Sequence, residues 1–486
     1  MRELESLADI VGVENLVDDP GVLEEYSGDF SFVPRRKPLC VVYPSDGDTV
    51  RGIVGWAKER GIPLTPVSSP GGPRFRGDTV PSLEGIIVDL SRMKSVLRID
   101  RRNRMAMIEP GVTFEQLRTE LEKHGMRPYS PLLPRSTKSV LTSYLEREPI
   151  TIPRDHWDML DPLCCVEAVL GTGDTLRTGE ASGPGTIEDL IAAGSALKSA
   201  MGPGGFDPVR IIQGAQGTMG IVTWTTIGCS LLPSVQRLFF ASSDKIESLI
   251  EYAYVLLRRR LGEEMFLVNS FLLANMVAES AESIKELSLS LPPWILILNI
   301  SGFERRPEER VDYQEKDARD IAKDLGLELQ TSVAGVSDAE VLRLLERPPG
   351  EYWKFRYKGC CQEIFFLTVL NRTVGFIDTM SKMAEANGYP ATDLGVYIQP
   401  VMQGVGCHCE FSLMYDPNDA EEAERIRRLF VRASERLAGS GAFFSRPYGL
   451  WADIVYRRDT ATANALRKVK ALLDPEGIMN PGKLCF

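Results

Sequence analysis

One strand-like stretch in the last hundred residues pairs a histidine with a carboxylate. In CHCEF, a strand would put His408 and Glu410 on one face and Cys407 and Cys409 on the other. A histidine with a neighbouring carboxylate can act as a general base and its orienting group, or as two ligands of a metal. The same pair also occurs as a plain hydrogen bond inside a sheet. Because two ligands do not make a metal site, we predict that no metal is bound.

A second stretch, EYWKFRYKGCCQE, carries cations at alternate positions. If it is a strand, Lys354, Arg356 and Lys358 share a face and form a clamp for a substrate carboxylate. The alternative is an edge strand whose lysines face solvent. The adjacent Cys360 and Cys361 would point to opposite faces of a strand, and we predict that they belong to the core.

A loop rich in serine, proline and glycine follows a short apolar strand in the first hundred residues. PVSSPGGPRFRG, residues 66–77, can turn successive backbone N–H groups towards one point, because glycine tolerates the φ values that this requires. Such a nest binds phosphate or diphosphate. The loop matches neither the P-loop nor the dinucleotide-binding glycine fingerprint. On its own it also fits an ordinary turn.

The segments around these residues alternate between strand and helix patterns. DGDTVRGIVGWAKERG predicts a helix capped by Asp46 or Asp48 and ended by Gly61, and TFEQLRTELEKHG predicts one capped by Thr113. LCCVEAVLGTGDTLRTGE predicts two strands around a turn. After Pro233, strand and helix patterns recur twice, which is typical of an α+β domain with an antiparallel sheet and helices on one face.

Composition indicates a globular, acidic chain. It has 486 residues, 43% hydrophobic content and a net charge of −11, with Lys and Arg spread along the sequence. The length predicts two or more domains, and the charge argues against nucleic acid or an anionic membrane surface as a partner. The charged start and the short apolar runs predict neither a signal peptide nor a membrane span. Nine cysteines without a C-x-x-C pair predict reduced thiols in a cytoplasmic protein, with peripheral membrane attachment left open.

The order of five stretches resembles one family of flavoenzymes. In chain order they are YPSDGDTVRGIVGWAKERGIPLTPVSSPGG, GIIVDLSRMKSVLRID, IEPGVTFEQLRTEL, GAQGTMGIVTWTTI and LLDPEGIMNPGKLCF. The series resembles the FAD-linked oxidoreductases typed by p-cresol methylhydroxylase and vanillyl-alcohol oxidase, over residues 37–233 and the C-terminal tail. Within that family, DLSRMKSVLRID and GAQGTMGIVT are similar to the glycolate and D-lactate dehydrogenase branch.

This resemblance implies an α+β fold, with a two-part FAD-binding domain of the p-cresol methylhydroxylase type (residues 1–233) and an α+β cap domain with an antiparallel sheet (234–440). Residues 441–486 would return to the FAD-binding domain. The implied cofactor is FAD, held without a covalent bond, because relatives that attach flavin near this loop use a histidine that SSPGGPRFRG lacks.

The implied FAD contacts lie in three stretches. They are Ser68, Ser69, Pro70, Gly71 and Gly72 at the diphosphate, then Pro134, Ser136, Ser139, Thr142 and Ser143 along the cofactor, then Gly220 and Val222 at the adenine. Relatives carry a Gly-Gly pair in the second stretch, where this chain reads STKSVLTSYLERE. Residues 136–143 therefore also fit the capped start of a helix.

The substrate side differs from both branches of the family. Hydroxy-acid relatives carry His-x-Gly-Asp-Gly-Asn-x-His and Glu-His-Gly stretches, whereas here His408 stands alone and the later stretch reads FFSRPYGLWADIVYRRD. Phenol-oxidising relatives bind a phenolate through Tyr and Arg, a role open to Tyr448 and Arg446. Packing of aromatic residues in a Pro/Gly bend is the alternative.

The resemblance implies an enzyme, an FAD-dependent oxidoreductase. We predict that it oxidises a small alcohol or 2-hydroxy acid by hydride transfer to flavin N5 and passes the electrons to a protein or quinone acceptor. The alternatives are a phenol or aryl alcohol as substrate, or a flavin-bearing electron-transfer subunit of a larger redox complex. The expected redox partner is an iron–sulfur protein or an electron-transfer flavoprotein, and a homo-oligomer is compatible with the sequence. The candidate catalytic residues are His408, Glu410, Tyr448, Arg446, Arg356 and Lys354.

Overall fold

Three large β-sheets organise the computed structural model, which describes residues 2–153, 162–348 and 350–486. In those ranges the strands are β1 Leu16–Val17, β2 Cys40–Val42, β3 Leu64–Val67, β4 Ile86–Asp89, β5 Val96–Asp100, β6 Met105–Ile108, β7 Met126–Pro128, β8 Leu163–Leu170, β9 Thr175–Arg177, β10 Gly220–Leu231, β11 Val235–Ser243, β12 Glu264–Asn269, β13 Trp294–Gly302, β14 Leu329–Gln330, β15 Ser332–Val333, β16 Val336–Ser337, β17 Cys360–Thr368, β18 Leu394–Val401 and β19 Gly406–Tyr415.

The α-helices of the described ranges pack against these sheets. They are α1 Arg2–Val11, α2 Pro20–Tyr26, α3 Gly47–Arg60, α4 Phe114–Glu122, α5 Val140–Leu145, α6 Ile187–Ala192, α7 Val209–Ile212, α8 Ile246–Arg259, α9 Ser270–Val277, α10 Ala281–Ser290, α11 Pro307–Asp324, α12 Asp338–Glu346, α13 Thr373–Ala386, α14 Ala420–Gly439, α15 Leu450–Tyr456 and α16 Thr460–Leu473.

The first sheet has four strands in the order β1-β2-β4-β3, and both β2 and β3 run parallel to β4. Helix α3 connects β2 to β3, as parallel strands require a crossover. The Asp46 side chain accepts a hydrogen bond from Thr49 N at 2.8 Å and caps this helix. Gly61 ends the helix in the left-handed region at φ 63°. Both ends of the predicted helix are therefore confirmed, with Asp46 rather than Asp48 as the cap.

The second sheet is antiparallel, with β10 at its centre between β6 and β8. β8 and β9 form the hairpin predicted from LCCVEAVLGTGDTLRTGE. Helix α4 begins at Thr113, whose hydroxyl accepts a hydrogen bond from Gln116 N at 3.3 Å, as predicted. This sheet and the first one together carry the stretches on which the family resemblance rests.

The third sheet has seven strands in the order β14-β11-β13-β12-β18-β19-β17. Its antiparallel pairing confirms the predicted sheet, but the prediction that helices cover one face is wrong. Leu296 and Leu298 of β13 pack towards helices α8, α11, α13 and α14. Ile295 and Ile297, which alternate with them, pack towards α9, α10 and α12. In a strand such as WILILNISG, the residues that face one side of the sheet and those that face the other side are both mostly apolar, because both faces of the sheet are buried.

The stretch EYWKFRYKG is not a strand. Trp353–Phe355 form a 3-10 turn, and β17 begins only at Cys360. Cys360 and Cys361 belong to the cores on opposite faces of the third sheet, as predicted. All nine cysteines are free thiols, and only Cys485 is partly exposed.

The segment after helix α16 returns to the first sheet. Met479 forms a parallel bridge with Leu64 in β3. Asn480 Nδ2 donates a hydrogen bond to the carbonyl of Asp78 at 2.9 Å, and Lys483 Nζ donates to the carbonyl of Gly77 at 2.8 Å. The residues around 480 therefore hold the end of the serine-, proline- and glycine-rich loop in place.

Among the residues that the structure describes, no helix has the length and apolar composition needed to cross a membrane.

Candidate functional site

A cavity lies where the loop at residues 66–79, called here the glycine loop, meets helix α5, β10 and the third sheet. It holds about 1710 Å³ of empty space, part of which is open to solvent at its mouth. Its walls include the predicted residues Ser68, Ser69, Pro134, Thr142, Gly220, Val222, Lys354, His408, Glu410, Arg446 and Tyr448. One cavity therefore brings together half of the predicted cofactor contacts and all but one of the predicted catalytic residues.

Several predicted cofactor residues of the glycine loop and helix α5 have structural partners. Ser69 Oγ accepts a hydrogen bond from Ser139 N at 3.0 Å and so ties the loop to the start of α5. Ser139 Oγ accepts from Thr142 N at 3.1 Å and caps the helix, and Ser143 Oγ donates to Glu148 at 2.6 Å. The capped helix start is thus present, and it orients Thr142 towards the cavity.

Other predicted cofactor residues lie outside the cavity wall. Gly71 and Gly72 are exposed, and Pro70 is partly exposed beside them. Ser136 lines a second cavity, next to Pro134 and Arg127. Direct FAD contacts of these residues remain a prediction.

Free donors in the cavity wall fit a negatively charged cofactor. Arg74 Nε, Thr79 Oγ1 and Arg135 Nη1 are buried and make no hydrogen bond in the described structure. A buried donor without a partner costs about 1–3 kcal/mol, so each of these groups is suited to a ligand. The diphosphate of FAD carries the charge and the acceptors that they lack. The residues of this cavity therefore fit FAD.

A buried ion network forms the wall that belongs to the third sheet. Lys354 Nζ lies 2.5 Å from Glu363 Oε1 in β17 and also donates to Glu410 Oε1 in β19. Burial lowers the pKa of Lys354, but the two carboxylates outweigh it and hold that pKa above its usual value. Burial raises the pKa of Glu363, but Lys354 and Arg76 outweigh it and hold that pKa well below its usual range. All of these groups are therefore charged at neutral pH.

His408 connects this network to Arg446. His408 Nε2 lies 3.1 Å from Glu410 Oε2, and its Nδ1 lies 3.4 Å from Arg446 Nη2. Because a carboxylate accepts and a guanidinium donates, these partners select the tautomer with hydrogen on Nε2. Burial lowers the pKa of His408 in spite of Glu410. The imidazole ring is therefore neutral, and the lone pair of its Nδ1 faces Arg446.

Arg446 is a buried cation that lies within salt-bridge distance of no carboxylate among the described residues. It is 7% exposed, lines the cavity and forms no ion pair among the described residues. Its guanidinium carbon lies 4.1 Å from the centre of the Phe365 ring, a cation–π contact. Tyr448 lies in the same wall, and burial raises the pKa of its hydroxyl well above the usual value. Arg446 and Tyr448 therefore offer a charged and a neutral donor to a ligand.

The predicted clamp of three cations is wrong. Only Lys354 reaches the cavity, where the two glutamates neutralise it. Arg356 Nη1 donates to the carbonyl of Ala278 at 3.3 Å, near the end of helix α9. Lys358 Nζ pairs with Glu422 at 2.8 Å. Alternate positions share a face only in a strand, and this segment is a 3-10 turn.

Sequence reasoning missed Arg76, which joins the glycine loop to the ion network. Arg76 Nη1 lies 2.7 Å from Glu363 Oε2, an ion contact without the alignment of a full hydrogen bond. The next residue back, Phe75, stacks on Tyr352 with 5.0 Å between ring centres, and the Tyr352 hydroxyl donates to Glu363 at 2.7 Å. The RFR triplet at residues 74–76, one residue after the glycines, was the signal available in the sequence.

A second carboxylate pair, also missed, lines the cavity from the end of helix α5. Lys138 Nζ lies 3.0 Å from Glu146 Oε2 and 2.5 Å from Glu148 Oε1. Burial raises the pKa of Glu146 to about 7 although Lys138 opposes the shift. Glu148 is buried too, but Lys138 and Arg446 lower its pKa to about 2. One lysine cannot keep both carboxyls ionised, so the pair shares a proton near neutral pH.

We expect Glu146→Gln to change how stability depends on pH. The pKa of Glu146 is raised above its usual 4.5, so the folded wild type binds the extra proton and loses stability as pH rises from about 4.5 to about 7. The loss is on the order of 1 kcal/mol per pH unit, and the variant should lack it. Denaturant unfolding of the FAD-free chain at several pH values measures this.

Glu120→Gln is the control, because it removes a partly exposed glutamate that pairs with Lys123. It should keep the wild-type slope of unfolding free energy against pH. An unchanged slope in Glu146→Gln would contradict the prediction.

No group of three or more His, Cys, Asp or Glu side chains in the described ranges is placed to hold a metal ion. The absence of a bound metal remains a prediction.

Two family models match the chain. Residues 38–179 match the FAD binding domain, and residues 404–484 match the C-terminal domain of FAD linked oxidases. The first match contains the glycine loop and helix α5, and the second contains His408, Glu410, Arg446 and Tyr448. Both matched segments thus contribute residues to the wall of the cavity.

Known proteins are similar over nearly the whole chain. A probable mitochondrial D-lactate dehydrogenase of Danio rerio is 22% identical, over 99% of this chain and 91% of its own. The glycolate oxidase subunit GlcD of Bacillus subtilis is 22% identical, over 99% of this chain and 96% of its own. A crystal structure of p-cresol methylhydroxylase with substrate bound superposes with a TM-score of 0.83 at 18% identity, over 100% and 96%.

These similarities confirm the predicted fold, the predicted cofactor FAD and the predicted class of enzyme, an FAD-dependent oxidoreductase. They leave the substrate and the electron acceptor open, because the relatives are named for different substrates and share about a fifth of their residues with this chain.

Proposed function

Since the chain belongs to the FAD-linked oxidoreductases typed by p-cresol methylhydroxylase and vanillyl-alcohol oxidase, we propose that it dehydrogenates a small hydroxylated substrate with an anionic group, such as a 2-hydroxy acid. The observation that carries this proposal is Arg446, a buried arginine in the cavity wall that forms no ion pair among the described residues. A buried guanidinium is stabilised by a carboxylate in bidentate contact, or by the single oxygen of a phenolate. The substrate supplies that anion.

The residues around Arg446 supply the proton acceptor. When bound, FAD supplies the hydride acceptor of the reaction. The contact between Arg446 and His408 Nδ1 is 3.4 Å long, which is weak for a hydrogen bond. When Arg446 turns to the substrate anion, Nδ1 becomes free to accept the substrate's hydroxyl proton. Glu410 keeps the proton on Nε2 and stabilises the imidazolium that results.

The ion network keeps Glu410 ionised while this happens. Burial raises the pKa of Glu410, but Lys354 outweighs it and keeps that pKa below its usual value. Lys354 itself is fixed by Glu363, and Glu363 by Tyr352 and Arg76. These residues therefore act as positioning residues for His408 and Glu410.

Anaerobic flavin reduction tests the proposal. The FAD-loaded protein is mixed with D-lactate, glycolate and longer 2-hydroxy acids, and the flavin absorbance is followed in the absence of oxygen. Bleaching by a hydroxy acid, but not by the alcohol that lacks its carboxylate, supports the proposal. Equal bleaching by acid and alcohol, or bleaching by neither, would contradict the binding of a hydroxy-acid carboxylate by Arg446.

A phenol or aryl alcohol is the second candidate substrate. Four aromatic side chains line the substrate end of the cavity, namely Tyr352, Trp353, Tyr397 and Tyr448. Such walls suit a flat ring, and Arg446 would bind the phenolate. Bleaching by p-cresol-type phenols and not by hydroxy acids in the same experiment would select this candidate.

The proposal also includes the electron acceptor and the domain boundaries of the chain. Electrons pass to a quinone or to a partner protein of the iron–sulfur or electron-transfer flavoprotein kind, since the sequence lacks a nicotinamide fingerprint. The domain boundaries near residues 233 and 440 are supported by the separate sheets and by the bridge between Leu64 and Met479. Reoxidation rates with quinones, dyes and oxygen test the acceptor. Limited proteolysis tests the domain boundaries. Cell fractionation tests the proposed cytoplasmic location, and analytical sedimentation measures the oligomeric state.

A further inference from the structure

Two arginines in the cavity, Arg135 buried and Arg74 partly buried, lack a compensating anion among the described residues. Arg74 belongs to the glycine loop, and Arg135 lies just before helix α5. Both line the cavity, and neither forms an ion pair among the residues that the structure describes. Neither is part of the ion network around Lys354.

Arg135 is the stronger of the two observations. Its side chain is 7% exposed, and its Nη1 makes no hydrogen bond. The two carboxylates of the same wall whose charges favour protonated Arg135, Glu146 and Glu148, pair with Lys138 instead. Burial, together with the positive charge of Arg74, lowers the pKa of Arg135. The folded chain alone therefore holds this cation at a cost.

Arg74 faces the same space from the glycine loop. Its guanidinium carbon lies 4.4 Å above the Tyr26 ring, which fixes the plane of the group but uses none of its N–H donors. Its Nε is buried without a hydrogen bond, and so is the hydroxyl of Thr79 five residues later. Two like charges and three unused polar atoms thus surround one region of the cavity.

We propose that Arg74, Thr79 and Arg135 form an oxyanion site that binds a phosphate or carboxylate group inside the cavity. Arginine binds both groups through paired N–H donors, and an oxyanion between the two guanidinium groups removes their mutual repulsion. The site is separate from Arg446, whose neighbours are His408 and Phe365. It does not depend on which substrate is oxidised.

Two molecules present this chemistry to the cavity, the diphosphate of FAD and the carboxylate of a substrate. The variants Arg135→Gln, Arg74→Gln and Thr79→Val distinguish which of these two groups occupies the site. Arg92→Gln is the matched control, because Arg92 also stacks on a tyrosine, Tyr43, at 4.0 Å but is exposed and lies outside the cavity wall.

The first arm uses the full chain freed of FAD. We measure FAD binding by flavin fluorescence and the binding of inorganic diphosphate by the rise in melting temperature. If the diphosphate fills the site, Arg135→Gln weakens the affinities for FAD and for inorganic diphosphate about 10- to 100-fold. Arg74→Gln and Thr79→Val weaken these affinities less, and Arg135→Lys restores part of the loss. Arg92→Gln binds both like wild type.

The second arm uses the FAD-loaded protein with glycolate and benzoate as probes, followed by the shift in flavin absorbance. If a substrate carboxylate fills the site, the variants keep FAD affinity but lose affinity for these acids by a similar factor. Normal affinity for FAD, diphosphate and both acids in Arg135→Gln overturns the proposal.

Stability of the FAD-free chain gives an independent readout. Because Arg135 forms no ion pair among the described residues and its buried Nη1 makes no hydrogen bond, Arg135→Gln should melt at the wild-type temperature or above it. A clear drop in the melting temperature would show that Arg135 serves the fold, and would also overturn the proposal. Failure of this site leaves the role of Arg446 untouched, because flavin reduction by hydroxy acids tests that separately.

Discussion

Replacing Lys354 with methionine is expected to stop flavin reduction by substrate and to destabilise the protein by about 3–5 kcal/mol. Lys354 lies between Glu363 and Glu410, both buried and both ionised. Without the lysine, two carboxylates face each other in a dry core, and one of them must take up a proton. Glu410 then no longer holds His408 in its reactive tautomer. Denaturant unfolding and anaerobic stopped-flow flavin reduction measure the two effects.

Lys358→Met provides the matched control for this prediction. Lys358 pairs with Glu422 at 2.8 Å, but its side chain is 27% exposed, so its loss should cost under about 1 kcal/mol and leave the rate unchanged. The double variant Lys354→Met/Glu410→Gln should regain part of the stability, because it removes one of the two facing charges. A stable and active Lys354→Met would contradict the account of the network given above.

Replacing Arg446 with glutamine is expected to lower kcat/KM for an anionic substrate by about 10²- to 10³-fold, because truncating one partner of a buried charge pair costs about 2–5 kcal/mol. The same change should alter the pH profile. The positive charge of Arg446 lowers the pKa of His408, so its removal raises that pKa. Because the base must be neutral, the acidic limb of the kcat/KM profile should move to higher pH.

Steady-state kinetics over a pH series measure both effects of Arg446→Gln. Arg457→Gln is the control, since Arg457 forms an exposed pair with Asp453 at 3.4 Å and should leave the profile unchanged. If kcat/KM for acids and for neutral alcohols fell equally in Arg446→Gln, the arginine would serve packing rather than anion binding. A fixed acidic limb would mean that His408 is not the base.

The candidate site was predictable where its geometry is local. Residues two positions apart on one strand share a face, so CHCEF placed His408 beside Glu410 correctly. Helix ends were predictable for the same reason, because Asp46 and Gly61 act on their own helix. The stretch around Lys354 failed, because the pattern of alternate cations fits a strand as well as it fits a 3-10 turn.

The rest of the site depends on contacts between distant parts of the chain. Arg76 and Glu363 meet only because the glycine loop reaches the third sheet. Glu363 sits in the apolar stretch CCQEIFF, where nothing local indicates that a buried glutamate has two cations as partners. Arg135 and Glu146 read as ordinary surface charges in sequence, and only burial in the cavity gives them a role.

The contacts of the residues around 480 with the glycine loop set the order in which the protein can be assembled during synthesis. Lys483 and the loop carbonyl that it holds are separated by 406 residues. A ribosome adds about 5–20 residues per second, so the loop waits on the order of tens of seconds for this partner. Capture of FAD should therefore follow translation of residue 483, and a nascent chain halted before that point should emerge without flavin.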